Sequence, residues 1–480
     1  MIIPAPRRVL LTGVSGYVGG RLLRRLEPES VALRCISRRP ERLAVGPHVE
    51  VLAGDVLDRS SVDRALEGVH TACYLVHSME SRGDYRELDR RGALNFAAAA
   101  RAAGVAQIVY LGGLGAEEEL SRHLSSRHEV GRLLRSTGVP TLELRASIVI
   151  GPGSASFETV RELVDRLPVI VAPHWVETLA QPVSIDEVLG YLLGAIALPR
   201  PLDEIVEVGG TDQLTYPEVM REYARQRGLH RRVVRPPLTP RASRTLLRAL
   251  TPRYGRVAAA MVDSLRNETI VRDSSNDSGF AVTKRSVSWA ISHALAEEDH
   301  EFAAKRWSVE PGAEEPPRWG GTAVGHRLVA SRTVRVCGDA ERVFSSIERI
   351  GGETGWYGVD LFWRLRGALD AARGGVGLRR GRPSRPQLRI GDEVDFWRVE
   401  RLDSERLLCL TAEMKLPGRL WLQFEVEPAG PAANVRQTTI FDPAGLVGLL
   451  YWYLLYPIHR WVFARLLAGI AADIEVPVRS

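Results

Sequence analysis

Three glycines spaced three apart, Gly13, Gly16 and Gly19, lie in the run Val9 to Gly20, where an apolar segment breaks into glycines and reopens as Arg21-Leu22-Leu23-Arg24-Arg25-Leu26. An apolar strand, a glycine turn and an amphipathic helix in that order make a cradle for the pyrophosphate of a dinucleotide. Gly13 permits the tight turn. Gly16 lets the backbone approach the pyrophosphate, where any side chain would collide with the ligand. Gly19 lets the helix lie close on the strand, with helix-end N–H groups facing the anion. A second stretch able to do chemistry is Ser37-Arg38-Arg39. The end of the second strand of such a unit meets the adenosine 2′ position, where an acid would repel a 2′-phosphate. Two guanidinium groups instead offer charge-assisted, bidentate bonds to a phosphate dianion, so NADP(H) is expected in preference to NAD(H).

The elements that must position these residues alternate in type. Val31 to Ser37 and Val49 to Ala53 read as strands, the latter leading into Gly54-Asp55-Val56. Ser60 to Glu67 reads as a helix, Thr71 to Val76 as a strand, Tyr85 to Gly104 as a long helix with an alanine face, and Gln107 to Leu111 as a strand. Helix Ser125 to Thr137 precedes one apolar strand, Thr141 to Ile150, which ends at Gly151-Pro152-Gly153. The expectation is an α/β fold, a Rossmann-type doubly wound parallel sheet. From Phe157 to about Trp307 short helices mix with isolated strands, among them Pro182-Val183-Ser184 and Ile205 to Val208. These are expected to cap the sheet's carboxyl edge and carry substrate specificity, because ligands of open α/β sheets lie there. Ser308 to Gly321 gathers proline, glycine and acids, the composition of a linker. The organisation expected is a nucleotide-binding domain over 1–307, a linker over 308–324 and a smaller α+β domain over 325–480. Strands are expected in the smaller domain at His326 to Val336, Val394 to Glu400, Leu407 to Leu416, Leu420 to Glu427 and Val435 to Phe441, with a helix at Ala340 to Arg349 and a long aromatic helix last.

With 480 residues, 45% of them hydrophobic, the chain can bury more than one core. The net charge of +6 is carried almost wholly by arginine, since Lys284, Lys305 and Lys415 are the only lysines. Basic residues are interleaved with acids, and the densest basic stretches lack aromatic interleaving, which argues against nucleic acid as a partner. Cys35, Cys73, Cys337 and Cys409 are widely separated in apolar surroundings, so neither a metal site nor a redox motif is suggested and a reducing cytoplasm fits. Met1-Ile2-Ile3-Pro4 runs directly into the first strand with no leader to remove. Only Pro443 to Ile458 resembles a membrane span, and Pro457, His459, Arg460 and Arg465 interrupt its continuation, so a buried or interfacial helix is expected there. Nothing in the pattern sets an oligomeric state.

Thr12-Gly13-x-x-Gly16-x-x-Gly19, Gly54-Asp55, Tyr74-Leu75-Val76-His77-Ser78 and Gly151-Pro152 together resemble the extended and atypical short-chain dehydrogenase/reductases, including their NmrA-like branch. The resemblance covers roughly the first 300 residues. It implies that Gly13, Gly16, Tyr17, Val18 and Gly19 lie along the pyrophosphate, with Thr12 and Ser15 of the same loop also binding cofactor. By the same resemblance Asp55 and Val56 lie beside the adenine, and Leu75, Val76 and His77 near the inner ribose. The family pattern sets a Ser, then Tyr-x-x-x-Lys, around the nicotinamide, and this chain departs from it. The strand end reads Leu111-Gly112-Gly113-Leu114, His123 takes the Tyr place and Arg127 the Lys place. Arg127 could donate to the nicotinamide ribose, while its charge and that of Arg122 should depress the pKa of His123 and favour neutral imidazole. Two functions therefore stand side by side: a reductase of a lipophilic carbonyl or quinone-like compound, and a catalytically silent dinucleotide sensor. A nucleotide sugar epimerase is a weaker third.

The smaller domain resembles an uncharacterised C-terminal domain fused to such reductases. Its marks are Gly355-Trp356-Tyr357, Leu361 to Gly367, Gly377 to Gly381, Asp395 to Val399, Glu413 to Gly418 and Tyr451-Trp452-Tyr453. The element order suggests a helix-grip fold like START and polyketide-cyclase domains, which hold apolar ligands. Six of the ten tryptophans fall here, Trp356, Trp363, Trp397, Trp421, Trp452 and Trp461. They either fill a core or line a cavity for a small lipophilic ligand. Arg366, Arg379, Arg380 and Arg398 either bind an anion or pair with Asp360, Asp370 and Asp395.

Overall fold

The structure, a computed structural model, describes residues 7–475 apart from 30, 80–83, 117–119, 251–258, 260–261, 275–278, 306–318, 325, 353–354, 358–359, 373, 376–380, 384 and 386. The chain divides at Lys305/Arg306 into two compact units.

The first unit is built on β1 (Arg8–Leu11), α1 (Tyr17–Leu26), β2 (Ala32–Ser37), β3 (Val49–Ala53), α2 (Arg59–Leu66), β4 (Thr71–Tyr74), α3 (Tyr85–Ala102), β5 (Gln107–Gly113), α4 (Arg122–Arg135) and β6 (Thr141–Ala146). There follow β7 (Val149–Ile150), α5 (Ala155–Arg166), β8 (Val169–Val171), β9 (Leu179–Ala180), β10 (Val183–Ser184), α6 (Ile185–Ala197) and β11 (Ile205–Val208). The unit ends with β12 (Leu214–Thr215), α7 (Tyr216–Gln226), β13 (Arg232–Val234), α8 (Pro240–Leu250) and α9 (Val287–Lys305). Seven strands form one parallel sheet in the order β11-β6-β5-β4-β1-β2-β3, so the strand order reverses between β1 and β4. Period-two alternation divides each strand between two cores. Val9, Leu11 and Val109 face α1 and α6, where Leu22, Leu26, Val188 and Leu192 meet them. Leu10, Ile108 and Tyr110 face α2, α3 and α4, against Val62, Leu66, Ala93, Phe96 and Val130.

Two readings of this unit change. The apolar run Thr141 to Ile150 is two strands: β6 ends at Ala146, and β7 leaves the sheet to pair with β10. Ser147 makes the break, its hydroxyl donating to the carbonyl of Thr269 at 2.8 Å instead of facing a core. Ile205–Val208, expected as an isolated strand over the sheet edge, is β11 and pairs in parallel with β6.

The second unit comprises β14 (Thr322–Val324), β15 (Arg327–Cys337), α10 (Ala340–Glu348), α11 (Asp360–Ala372), β16 (Glu393–Val394), β17 (Trp397–Asp403), β18 (Leu407–Ala412), β19 (Gly418–Ala429), β20 (Ala432–Pro443) and α12 (Gly445–Glu475). Its seven-stranded antiparallel sheet has the order β14-β15-β20-β19-β18-β17-β16. One core collects the inward residues of β19 and β20, Leu422, Phe424, Val435 and Phe441, with Trp452, Val462, Phe463 and Leu466 of α12. The linker expected over 308–324 is corrected at its end, because Thr322–Val324 pairs with β15 as an edge strand; residues 308–318 lie outside those described. The strand expected at Val394 to Glu400 is a tight hairpin, turned at Asp395, whose φ of 58° no strand interior adopts. Pro457 does not end the last helix. Its missing N–H costs the carbonyl of Tyr453 a partner on an exposed side, while Tyr456 and Val462 hold the buried side to the core. No helix among the described residues is long and apolar enough to cross a membrane.

Candidate functional site

The strand-order reversal between β1 and β4 opens a crevice at their carboxyl ends, and Thr12 ties its two sides together. Its hydroxyl donates to the carbonyl of Cys73 at 3.0 Å and accepts the N–H of Leu75 at 2.9 Å. Gly13 follows at φ 65°, and a Cβ there would come within 2.5 Å of the Leu75 carbonyl oxygen. Gly16 is the N-cap of α1 and supplies no side-chain cap, and the first turn contains no acid. The N–H groups of that first turn have no carbonyl within the helix to bond, which makes the start of α1 a ready anion site. At Gly19 a Cβ would overlap the Gly13 carbonyl, so the close approach this glycine permits is of helix to turn. Ser15 and Gly16 are exposed in the loop, and Val18 is half-buried in the first turn of α1. The Tyr17 side chain turns away toward the loop after β7, where a Cβ on Gly153 would lie 3.6 Å from its ring. Its hydroxyl is buried without a hydrogen-bond partner among the described residues, and burial raises its pKa.

At the end of β2, Arg38 and Arg39 are exposed, and neither guanidinium has a partner among the described residues. The neighbouring loop after β3 is held by its own bonds. The Asp55 carboxylate accepts the N–H of Leu57 at 3.0 Å, and Asn95 donates to the carbonyls of Val56 and Leu57 at 3.1 Å each.

On the other flank α4 lays a polar face over the ends of β4 and β5. Arg127 donates to the carbonyl of Leu111, and to that of Val76 at 3.4 Å, with its guanidinium over the Tyr110 ring. His123, one turn earlier, has a buried Nδ1 with no partner among the described residues. Burial, then the Arg127 charge, then His77 push its imidazole down to about 3, so it is neutral at physiological pH. Burial thus acts ahead of charge, and Arg122, exposed at the helix start, is not among the causes. The glycines at the Ser place have a structural reason. A Cβ on Gly113 would lie 2.9 Å from Leu124 of α4, and one on Gly112 3.2 Å from the buried carboxylate of Glu143.

Residues 13–146 match the family described as NAD(P)H-binding, and residues 323–466 match the family described as protein of unknown function (DUF2867). The chain carries an NAD(P)H-binding Rossmann domain followed by a DUF2867 domain. Among curated proteins it is 36% identical over 170 residues to (4-alkanoyl-5-oxo-2,5-dihydrofuran-3-yl)methyl phosphate reductase of Streptomyces griseus, covering 34% of this chain and 57% of the relative. It is 27% identical over 238 residues to the ceramide reductase of Caulobacter vibrioides, covering 48% of this chain and 73% of that protein. The chain therefore spans little more than half the length of the first of these. The fold of the Citrobacter sp. triphenylmethane reductase is similar at a TM-score of 0.50 and 20% identity, covering 60% of this chain and 99% of that one. An NADPH-dependent quinone oxidoreductase of Escherichia coli matches at a TM-score of 0.50 and 16% identity, covering 60% and 99%. At such identities the likeness is one of fold.

Sequence reasoning missed Asp89. This α3 carboxylate, 4% exposed, accepts the N–H of Ser78 at 2.8 Å and the hydroxyl of Ser126 at 3.4 Å, so it ties the segment after β4 to α4. Burial raises its pKa against the opposing pull of Arg127. The signal was present: Asp89 shares a helical face with Gly92, Ala93 and Phe96, where a charge needs a reason. In the second unit, Arg398 pairs with Glu393 and Glu413, Arg366 donates to the Lys415 carbonyl, and Asp370 and Asp395 accept from the Lys415 N–H and from Trp356. Of the two readings left open for these arginines, anion binding or pairing with Asp360, Asp370 and Asp395, Arg398 takes neither and pairs with glutamates instead, while residues 379 and 380 and the Asp360 side chain lie outside those described. Trp356 stacks on Phe396 in the core and Trp363 and Trp397 meet that ring at a tilt, whereas Trp461 is 58% exposed and lines no interior.

Proposed function

We propose that this protein is an NADPH-linked reductase of a lipophilic carbonyl or quinone-like compound. The observation that carries the reading is the uncapped, acid-free start of α1 in the crevice, together with two unpartnered guanidinium groups at the end of β2. The first fits a pyrophosphate and the second a 2′-phosphate. Relatives named for an alkanoyl-bearing furan phosphate and for ceramide support a lipophilic substrate. Bound NADPH would supply the hydride. Gly13, Gly16 and Gly19 would admit the pyrophosphate, with Thr12, Ser15, Tyr17 and Val18 along the loop. Asp55 and Val56 would flank the adenine, and Leu75, Val76 and His77 the inner ribose. Arg127, anchored to two carbonyls of the sheet end, would donate to ribose hydroxyls. His123, neutral, would offer the substrate oxygen one N–H, a weaker acid than a Tyr beside a Lys. General acid catalysis is worth roughly 10²–10⁴ in rate, and positioning can supply about 7–11 kcal/mol of a barrier, so hydride transfer proceeds more slowly without the Tyr.

The test is NADPH oxidation by the purified protein against quinones, ketones and enones, followed by absorbance. Turnover that disappears in Gly16→Val supports the reading. Replacing Arg38 and Arg39 with alanine should weaken NADPH binding about tenfold or more and leave NADH little changed, since charge-assisted hydrogen bonds contribute about 1.5–3 kcal/mol each. Equal losses for both cofactors would sink the 2′-phosphate assignment.

A neutral His123 at the Tyr place and a Gly113 packed against Leu124 at the Ser place favour a second reading, a dinucleotide-sensing protein that does no chemistry. Binding of NADPH without turnover of any acceptor, accompanied by altered affinity for a partner protein, would establish it. For the second unit we propose a helix-grip fold, supported by an antiparallel sheet with a long C-terminal helix against its core. Four cysteines outside any disulfide, three of them buried, fit a reducing cytoplasm.

A further inference from the structure

Away from the crevice, the first unit contains an apolar cleft of about 920 Å³, a figure that counts the part open to solvent. Its longest wall is one stripe of α5, positions 156, 159, 160, 163, 164 and 167, the three-and-four spacing of a single helix face. Eleven residue steps at 1.5 Å make that wall about 16 Å long, so the space is elongated. Ile170 of β8, Trp175, Met220 of α7 and Leu247 of α8 also line it. The start of the stripe lies just past Gly153, the loop that receives the Tyr17 ring. A nucleotide or sugar would leave its oxygens unpaired against these aliphatic walls, at a cost of roughly 2–7 kcal/mol for each buried polar group. An aliphatic chain loses nothing there. The lining also includes Ser243, 8% exposed, whose hydroxyl has no partner among the described residues. A dry, self-filled core seldom leaves such a group alone.

We infer that this cleft is a subsite for a single unbranched aliphatic chain. The inference rests on the reductase reading only in calling that chain part of the substrate, which makes the substrate an alkyl or acyl compound in preference to a flat quinone. Chain binding is measured first without turnover, by titrating tryptophan fluorescence with n-alcohols from butanol to dodecanol, using Trp175→Phe to identify the signal. Affinity should rise about fourfold per methylene, the fold-change that corresponds to about 0.8 kcal/mol per buried CH₂. Leu163→Trp fills the middle of the cleft and should abolish the length dependence while NADPH binding is retained. Thr159→Trp does the same from the next turn if the first variant folds poorly. Equal affinity for butanol and dodecanol, or an unchanged length dependence in variants that still bind NADPH, overturns the inference. The matching n-aldehydes are then offered with NADPH. Length-dependent binding with no turnover leaves the cleft standing and removes the reductase reading. Turnover of butanal and dodecanal with equal kcat/KM leaves the reductase standing and removes the cleft.

Discussion

Gly113 is where a residue's absence of side chain decides chemistry. Leu124 already occupies the volume in which a serine at that place would sit, 2.9 Å from the Cβ position. Gly113→Ser, the change that restores one member of the family pattern, should gain no activity while His123 and Arg127 hold the Tyr and Lys places, and should cost only about 1 kcal/mol in the denaturant midpoint, since just the movable end of Leu124 must shift. Two histidines make a second prediction. His123 titrates at about 3 and His459 at about 4 in the folded chain, against 6.5 for an ordinary imidazole, burial being the largest cause for both. Between those values the unfolded chain binds protons that the folded chain refuses, so stability falls as pH drops below about 6.5 and is full above it. Melting temperature should decline from pH 6.5 toward pH 4.5, and a His123→Leu, His459→Leu double variant should decline less. The tight turn at Gly13 and the close approach at Gly19 were legible from type and spacing. Asp89 was marked only by its place on an apolar helical face, and its partners Ser78 and Ser126 could not be read because they come from separate segments that only the packing of α3 and α4 brings together.

Helix α4 carries both His123 and Arg127, and its seat on the sheet depends on Gly131. A Cβ there would overlap the Glu143 carboxylate, which is fully buried and held by Arg135 at 2.7 Å and Arg145 at 2.8 Å. Gly131→Ala should lift the helix, lowering stability by about 1–3 kcal/mol and weakening NADPH binding through displaced Arg127. Ala substitution at an exposed helical glycine would instead stabilise by about 0.5–1 kcal/mol, so the sign of a urea-midpoint shift tests the contact. Alternation of strand and helix was readable through the first unit because each strand is a short apolar run and each helix has one apolar stripe. The α5 stripe was not read, since no core residue marked which side it lined. Helix α11 escaped for a clearer reason. Its buried face is Trp363, Gly367 and Asp370, while Leu361, Leu365 and Leu369 stand exposed, which inverts the usual pattern.

Two compact units in one chain should melt as two transitions, and a ligand that binds one of them shifts that one. NADPH at about a hundred times its dissociation constant stabilises by about 2.7 kcal/mol, so calorimetry should show one transition moving up and the other fixed. A single transition, or movement of both, would contradict independent units. The break between units was legible in its proline and glycine content, but not the short strand β14, which gains its role only by pairing with β15. That sheet has one more consequence. Strand β15 lies beside β20 in register, Arg332 opposite Gln437, although the intervening chain must form every other strand of the sheet but β14. On the ribosome, at 5–20 residues per second, β15 waits roughly 5–20 s with an open edge before its partner is made. The first unit can fold during that interval, while the second depends on its last strand and final helix, so nascent-chain release or truncation before Ala432 leaves β15 with one open edge for chaperones to shield.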